Sequence, residues 1–295
     1  MVITEGVSNI ANNFQCLLYC KFFRIPIIQW GLGELPNRQR NILSRFMRKM
    51  LNLYEGLSDG AIAYSTHGAR HYVSAGLSNE HVSVALNSID TDRRRSEINN
   101  FLRSRRVLDL SVFPERNSIC YLGALEENKH VNHLINLFSE IKPIFPEMSL
   151  NIIGAGADEN RLKKLAADKC GSDIVFHGAQ RGSLCEYLLG AKLLVLPNLG
   201  GLVFSEALVH GVPVLAGPAD GSEADLLSHQ ANYIMPTNLI SDPIGWKNKI
   251  CEVLKNTSKR NEVRRRGLEA AQKLTAKNYA ETIHNLCRKV TSCSK

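Results

Sequence analysis

Short apolar, often β-branched runs alternate with helix-like segments along nearly the whole chain, and no other feature narrows the fold as far. The strand-like runs are Val2-Ile3-Thr4, Ile25 to Trp30, Ala61 to Tyr64, Val82 to Ala85, Ser118 to Leu122, Leu150 to Ile153, Ile174 to Phe176, Leu193 to Leu196 and Val212 to Ala216. Helical segments separate nearly all of them, the rhythm of βαβ units laid on parallel sheets. Several runs are apolar at consecutive positions, as strands covered by helices on both faces are. From about residue 240 to 290 the pattern is helical only. No apolar run reaches the roughly 18 residues that would suggest a membrane-spanning helix.

The rhythm breaks between residues 91 and 117, a stretch holding Arg93, Arg94, Arg95, Arg103, Arg105, Arg106 and Arg116 and closing in Pro114-Glu115-Arg116-Asn117. A domain boundary is expected there. The reading is an N-terminal domain over 1–112, a second domain over 113–275, and a C-terminal helix or tail over 276–295. The fold class is α/β with two Rossmann-like domains. Residues 117–275 suffice for a full Rossmann-like sheet, whereas residues 1–110 hold only about four strands. A βαβ unit takes about 30 residues, so the N-terminal domain is expected to be incomplete, one or two units short at its front.

The net charge of +8 suits nucleic acid, anionic lipid or phosphorylated small molecules. The Arg-rich stretch over 91–106 has no interleaved aromatic beyond Phe101 and matches no nucleic-acid motif, so no nucleic-acid partner is expected. The cysteines at 16, 20, 120, 170, 185, 251, 287 and 293 form no Cys-x-x-Cys pair and no zinc-like spacing. They read as reduced thiols, with no metal site. Met1 to Asn13 lacks the basic start and apolar core of a signal peptide, so a cytoplasmic protein is expected. Peripheral membrane contact through 37–57 is one further reading. There Ile42, Leu43, Phe46, Met47, Met50 and Leu51 share a helical face, with Arg38, Arg40, Arg45, Arg48 and Lys49 around it. A core-facing helix with a solvated basic side is the other reading.

The second half holds four features in order. A strand ends at Gly123, and a short loop leads to Lys129 at the head of a helix. A second strand ends in Gly154-Ala155-Gly156 before a helix. A third ends at His177-Gly178, with Gln180 in the turn. The fourth leads through Asn198 and Gly200-Gly201-Leu202 into a short helix bearing Glu206, and Gly211-Val212-Pro213 opens the next strand. All these loops lie at the carboxyl ends of parallel strands, where open α/β sheets bind ligands. Gly200 and Gly201 let backbone amides approach an anion at a helix N-terminus. Lys129 adds a positive charge for the same diphosphate, and Glu206 can accept two hydroxyl hydrogen bonds. Gly154-Ala155-Gly156 is not a dinucleotide fingerprint, because its third glycine would fall at Glu159. His177 reads as a strand-end histidine rather than a catalyst.

This series resembles the donor domain of the retaining GT-B glycosyltransferases of family 4, over about 117–275. The segments around Ile25 to Leu35, Leu57 to Leu77 and His81 to Arg93 are similar to the last strands of the acceptor domain, and Asn87-Ser88-Ile89-Asp90 to the passage before the interdomain linker. The subtype looks like enzymes that build lipopolysaccharide and other surface polysaccharides. The resemblance implies a nucleoside-diphosphate sugar held at Gly123, Lys129, Gly154, Gly156, Gly178, Gln180, Asn198, Gly200, Gly201, Leu202 and Glu206, in a cleft between domains. It implies a hexosyltransferase-like transfer, with retention and without a metal, to a glycan or lipid-linked acceptor. No cofactor is implied, the nucleotide sugar being a substrate, and no catalytic residue is assigned.

Three positions depart from that pattern. Asn198 stands where many members have a glutamate, Ala124 where an arginine often aids the diphosphate, and Leu32 where a histidine normally lies near the acceptor. A neutral hydrogen bond is worth about 1 kcal/mol against about 1.5–3 for a charged one, so weaker or altered sugar binding is expected at Asn198. Leu32, Asn198 and the short front keep open a non-catalytic sugar-nucleotide binder acting as a partner subunit, and a GT-B epimerase is a third reading.

Overall fold

The computed structural model describes residues 1–5, 10–33, 42–110, 113–198, 200–218, 221–227 and 234–293, with no side-chain placement for 10, 42–47, 223 and 293. Two compact units emerge. The first comprises Met1–Asn87, Asp220–Asp225 and Ala276–Lys295, and the second Ser88–Ala219 and Leu226–Thr275.

The first unit is built on a four-stranded parallel sheet in the order β1 (Val2–Glu5), β2 (Ile27–Gly31), β3 (Gly60–Ala63), β4 (Val82–Val84). Helices α1 (Ile10–Phe22), α2 (Ile42–Gly56) and α3 (Thr66–Ser74) connect them. Ser65 caps α3 by accepting a hydrogen bond from the Gly68 amide at 3.1 Å. On one side of the sheet Leu17, Cys20, Ile27 and Tyr54 form a core. Elsewhere Ile28 and Ile62 meet Leu286 and Val290 of the C-terminal helix, Ala276–Cys293.

The second unit begins with α4 (Thr91–Ser104), capped by Asp90, whose carboxylate accepts from the Arg93 amide at 3.0 Å. A doubly wound region follows: β5 (Arg116–Leu122), α5 (Val131–Ile141), β6 (Ser149–Ile153), α6 (Glu159–Cys170), β7 (Ile174–Phe176), α7 (Cys185–Leu188), β8 (Ala191–Leu196), α8 (Val203–Val209) and β9 (Val214–Ala216). Its five strands are parallel and run in the order β7-β6-β5-β8-β9. β5 is the first of these strands in sequence and the middle one in space, so the direction of winding reverses between β5 and β8. Short α9 (Ser222–Leu226) precedes α10 (Pro243–Lys255), α11 (Thr257–Lys273) and α12 (Ala276–Cys293). Asp242 caps α10 with Pro243 in its first turn, and Asn256 caps α11.

All the strand-like runs read from the sequence are strands, with ends displaced by at most two residues. Proline explains two trims. β2 starts after Pro26 and β9 after Pro213, because a proline has no N–H to give the ladder. The domain limits fall elsewhere than the sequence suggested. The division lies at Asn87/Ser88 rather than near residue 112, and of the segment read as a C-terminal helix or tail, Ala276–Cys293 is helix and groups with the first unit. The cause is long-range pairing. In α4, Thr91 Oγ1 donates to the Leu274 carbonyl and Arg95 Nη2 to the Ala271 carbonyl.

Of the basic helix read over 37–57, Arg38 and Arg40 lie outside the described residues, as do the side chains of Ile42, Leu43, Arg45, Phe46 and Met47. Arg48, assigned to the solvated basic side, is instead buried. Its Nη2 donates to Glu55 at 2.5 Å. Among the described residues no helix is long and apolar enough to cross a membrane, no cluster of His, Cys, Asp and Glu could hold a metal, and the cysteines with placed side chains are free thiols.

Candidate functional site

In an open parallel sheet the loops leaving two neighbouring strands in opposite directions open a crevice at their carboxyl ends. Here that crevice falls between the loops after β5 and β8. It forms a hollow of about 190 Å³ lined by Tyr121, Leu122, Gly123, Ala124, Lys129, Leu196, Asn198, Gly200 and Val203. Four of the residues expected to hold a donor therefore share one cavity: Gly123, Lys129, Asn198 and Gly200.

Tyr121 shapes the floor. Its hydroxyl donates to the Ala124 carbonyl at 2.9 Å, which folds the Gly123-Ala124 turn back over β5, and burial pushes its pKa up. Lys129 ends a 3-10 turn, Glu127–Lys129, one residue short of α5; His130 between them is left-handed, with φ 58°. Asn198 Nδ2 donates to the Asn128 carbonyl at 2.6 Å, so Asn198 ties the β8 loop to the turn that bears Lys129. A glutamate there would have no hydrogen to give that carbonyl. Gly200 is fixed by packing: a Cβ would lie 2.6 Å from Leu196 Cδ1 and 2.8 Å from Phe204 Cζ. Gly201 has φ 52°, and Leu202 beside it is half-exposed.

Gly154 and Gly156 act one layer behind. A Cβ on Gly154 would overlap the Gly123 carbonyl oxygen, and one on Gly156 would overlap the Leu125 carbonyl oxygen. The Leu125 amide donates to the Ala155 carbonyl at 3.0 Å and the Asp158 amide to the Leu125 carbonyl at 2.9 Å. These glycines let the β6 loop press against the β5 loop, and neither lines the hollow. Gly178 accepts from the Gly154 amide at 2.9 Å, and Gln180 is exposed, its Nε2 donating to the His177 carbonyl at 2.6 Å. His177 Nε2 is 2.7 Å from Asn151 Oδ1, its ring rests against Tyr187, and burial lowers its pKa, the surroundings expected of a strand-end histidine.

Glu206 lies in α8 outside the hollow and is almost fully buried. Its Oε1 accepts from Arg94 Nε at 2.9 Å and Nη2 at 2.7 Å. Burial raises the Glu206 pKa and Arg94 opposes that rise. Beside it His210 Nδ1 is 2.8 Å from the Glu206 backbone carbonyl, and burial pushes the imidazole down to about 4, so it is neutral. The role of Arg94 was not visible in the sequence, where it is one of several arginines in a row. Nothing in a single sequence links a residue to another 112 positions on. Other arginines of this stretch pair at the surface: Arg93 with Glu97, Arg95 with Asp92, Arg105 with Glu186.

In the first unit the Trp30-Gly31-Leu32-Gly33 loop lies against the first turn of α3. Gly33 has φ 70°, and a Cβ on it would stand 3.1 Å from both the Gly68 carbonyl oxygen and the His71 ring. Below it Glu55 Oε2 takes Arg48 Nη2 at 2.5 Å and lies 2.8 Å from His71 Nε2. This buried cluster sits where the sequence offered only Leu32 as a marker.

Comparison with known proteins gives one consistent picture. The chain is 26% identical over 134 residues to an uncharacterized glycosyltransferase of Haemophilus influenzae, matching 44% of this chain and 38% of that one. It is 24% identical over 175 residues to a poly(glycerol-phosphate) alpha-glucosyltransferase of Bacillus subtilis, matching 58% of this chain and 26% of that one. The matches thus span between about a quarter and two fifths of those relatives. Among solved structures, Anabaena HepE in complex with UDP superposes with a TM-score of 0.69 at 15% identity, covering 96% of this chain and 77% of that chain. The lipopolysaccharide outer core galactosyltransferase WaaB in its apo form gives 0.66 at 14% identity, covering 95% and 73%. These structural likenesses establish the GT-B, Rossmann-like fold. Residues 109–270, more than half of the chain, match the family described as Glycosyl transferases group 1, and the chain belongs to that family.

Proposed function

We propose that the second unit binds a nucleoside-diphosphate sugar and that the protein transfers the sugar to a glycan or lipid-linked acceptor with retention of anomeric configuration. The observation that supports this best is the hollow at the β5/β8 reversal, where Lys129, Asn198 and Gly200 converge. A leaving diphosphate needs positive charge and preorganised donors. Lys129 supplies the charge and the loops at Gly123 and Gly200 supply backbone amides, so the transfer needs neither a metal nor a cofactor. Glu206 serves the ribose hydroxyls and the Gly178–Gln180 turn the base. No side chain is assigned as nucleophile or general base. In this reading the leaving phosphate takes the acceptor's proton, and the donor is a hexose nucleotide.

The relatives fit this chemistry. HepE has been seen with UDP and with UDP-glucose, and a mutant of S. aureus TarM with fondaparinux, alpha-GlcNAc-glycerol and UDP. The test is calorimetric titration with UDP, GDP and ADP beside Glu206→Ala. One nucleotide should bind, and the variant should weaken it by about 1.5 kcal/mol or more, roughly tenfold. Binding by none of the three at millimolar concentration contradicts a donor site.

A further inference from the structure

Arg94 uses every nitrogen of its guanidinium. Nε and Nη2 hold Glu206 Oε1 at 2.9 and 2.7 Å; Nη1 holds Glu97 Oε2 at 2.8 Å and the Gly182 carbonyl at 3.3 Å. Gly182 closes the loop that begins at Gly178. One side chain therefore bridges the carboxylate assigned to the ribose and the loop assigned to the base. The other oxygen of that carboxylate, Oε2, is buried and has no hydrogen-bond partner among the described residues. It lies 3.7 Å from His210 Nδ1, whose short contact is with the backbone carbonyl of Glu206. A buried carboxylate with one oxygen unserved is costly unless a charge holds it, and Arg94 is that charge.

We propose that Arg94 is a positioning residue for nucleotide binding, fixing the Glu206 carboxylate and tying it to the loop at Gly182. The proposal rests on the donor-site reading given above. Without the guanidinium two things change together. The carboxylate loses the anchor that sets its rotamer, and it becomes a buried acid with nothing to keep it ionised, so it protonates at higher pH and loses acceptor strength. The other titratable groups around Glu206 do not replace Arg94. Glu97 on α4 repels it. His210 on α8 stays neutral down to about pH 4. Cys185 on α7, 4.0 Å from His210, is a thiol pushed up by burial. Arg264 on α11 is turned to the carbonyls of Leu110 and Phe113.

The test compares wild type, Arg94→Gln and Arg94→Lys by calorimetry between pH 5.5 and 8.5, using whichever of UDP, GDP and ADP the wild type binds, and its 2′-deoxy form. For Arg94→Gln the pH at which affinity is lost on acidification should rise by about one to three units. Its preference for the ribo over the 2′-deoxy nucleotide should also shrink severalfold. Arg94→Lys, which keeps the charge, should restore most of the pH profile. Three results overturn the proposal: an Arg94→Gln profile identical to wild type, a loss equal at every pH and for both nucleotides, or no rescue by lysine. If the wild type itself binds no nucleotide, the donor-site reading fails and the proposal with it, which separates the two failures.

Discussion

Replacing Arg260 by alanine should destabilise the second unit more than any other single side-chain deletion in α11. Arg260 is 2% exposed and makes five hydrogen bonds. Two form a bidentate pair with Glu115, Nε to Oε1 at 2.9 Å and Nη2 to Oε2 at 2.6 Å. Two more reach the carbonyls of Val253 and Leu254 at the end of α10, at 2.7 and 2.6 Å. The last reaches Thr257. Deleting the side chain leaves a carboxylate without its cation and takes a donor from each of two helix-end carbonyls, of which that of Val253 keeps the Asn256 amide at 3.3 Å. Breaking a buried pair costs about 3–5 kcal/mol, and Glu115 keeps 23% of its side chain in solvent, which favours the lower end. At roughly 2–4 °C per kcal/mol for a domain of this size, a loss near 3 kcal/mol lowers Tm by about 6–12 °C. Thermal unfolding followed by circular dichroism reads this directly. Arg260→Met combined with Glu115→Leu should recover part of the loss, because no charge is then stranded while the bonds to the α10 carbonyls stay lost. A cost for Arg260→Ala below about 1 kcal/mol, the level of a surface pair, refutes the reasoning.

Other positions give sharper local tests. Gly154→Ala forces a Cβ onto the Gly123 carbonyl at φ 148°, so it should cost about 2 kcal/mol or more and displace the loop bearing Lys129; a Tm within a degree of wild type contradicts the packing described. His210 is neutral in the fold, its pKa lowered from 6.5 to about 4, so the unfolded chain takes up a proton first as pH falls. The stability it confers is complete above about pH 6.5 and lost on acidification towards 4, up to about 3 kcal/mol; His210→Gln should flatten that part of a urea-unfolding pH series. Lys129→Ala should weaken the preferred nucleoside diphosphate about tenfold to a hundredfold and leave the free nucleoside unaffected, by the same calorimetry.

The sheets were legible because their signal is local. Ser118 to Leu122 or Leu193 to Leu196 could be little other than buried strands between helices, and the loops after them must lie at the ligand-binding edge of a parallel sheet. The convergence of Gly123, Lys129, Asn198 and Gly200 in one hollow follows from topology that the alternation already implied. What could not be read is what depends on pairing over distance. Arg94 looked like one charge in an Arg-rich linker, yet Glu206 needs it. Arg48 looked solvated beside Lys49 but is buried against Glu55, because a helix face is assigned by hydrophobicity and a paired arginine breaks that rule. The boundary misplaced near residue 112 has the same origin, since the contacts drawing α4 into the second unit join Thr91 and Arg95 to Leu274 and Ala271. The periodicity of Ile283, Leu286, Cys287 and Val290 marks α12 as amphipathic, but not which core receives it. Gly154 and Gly156 show the opposite limit: the residues were found, and their work is to support the neighbouring loop.

The most direct measurement is a crystal structure with the nucleoside diphosphate that binds. Its diphosphate should lie in the hollow between Gly123 and Gly200, within hydrogen-bonding distance of Lys129, with the ribose turned towards Glu206. A nucleotide seated instead on Gly154-Ala155-Gly156, or anywhere away from Lys129, would contradict the donor site described here.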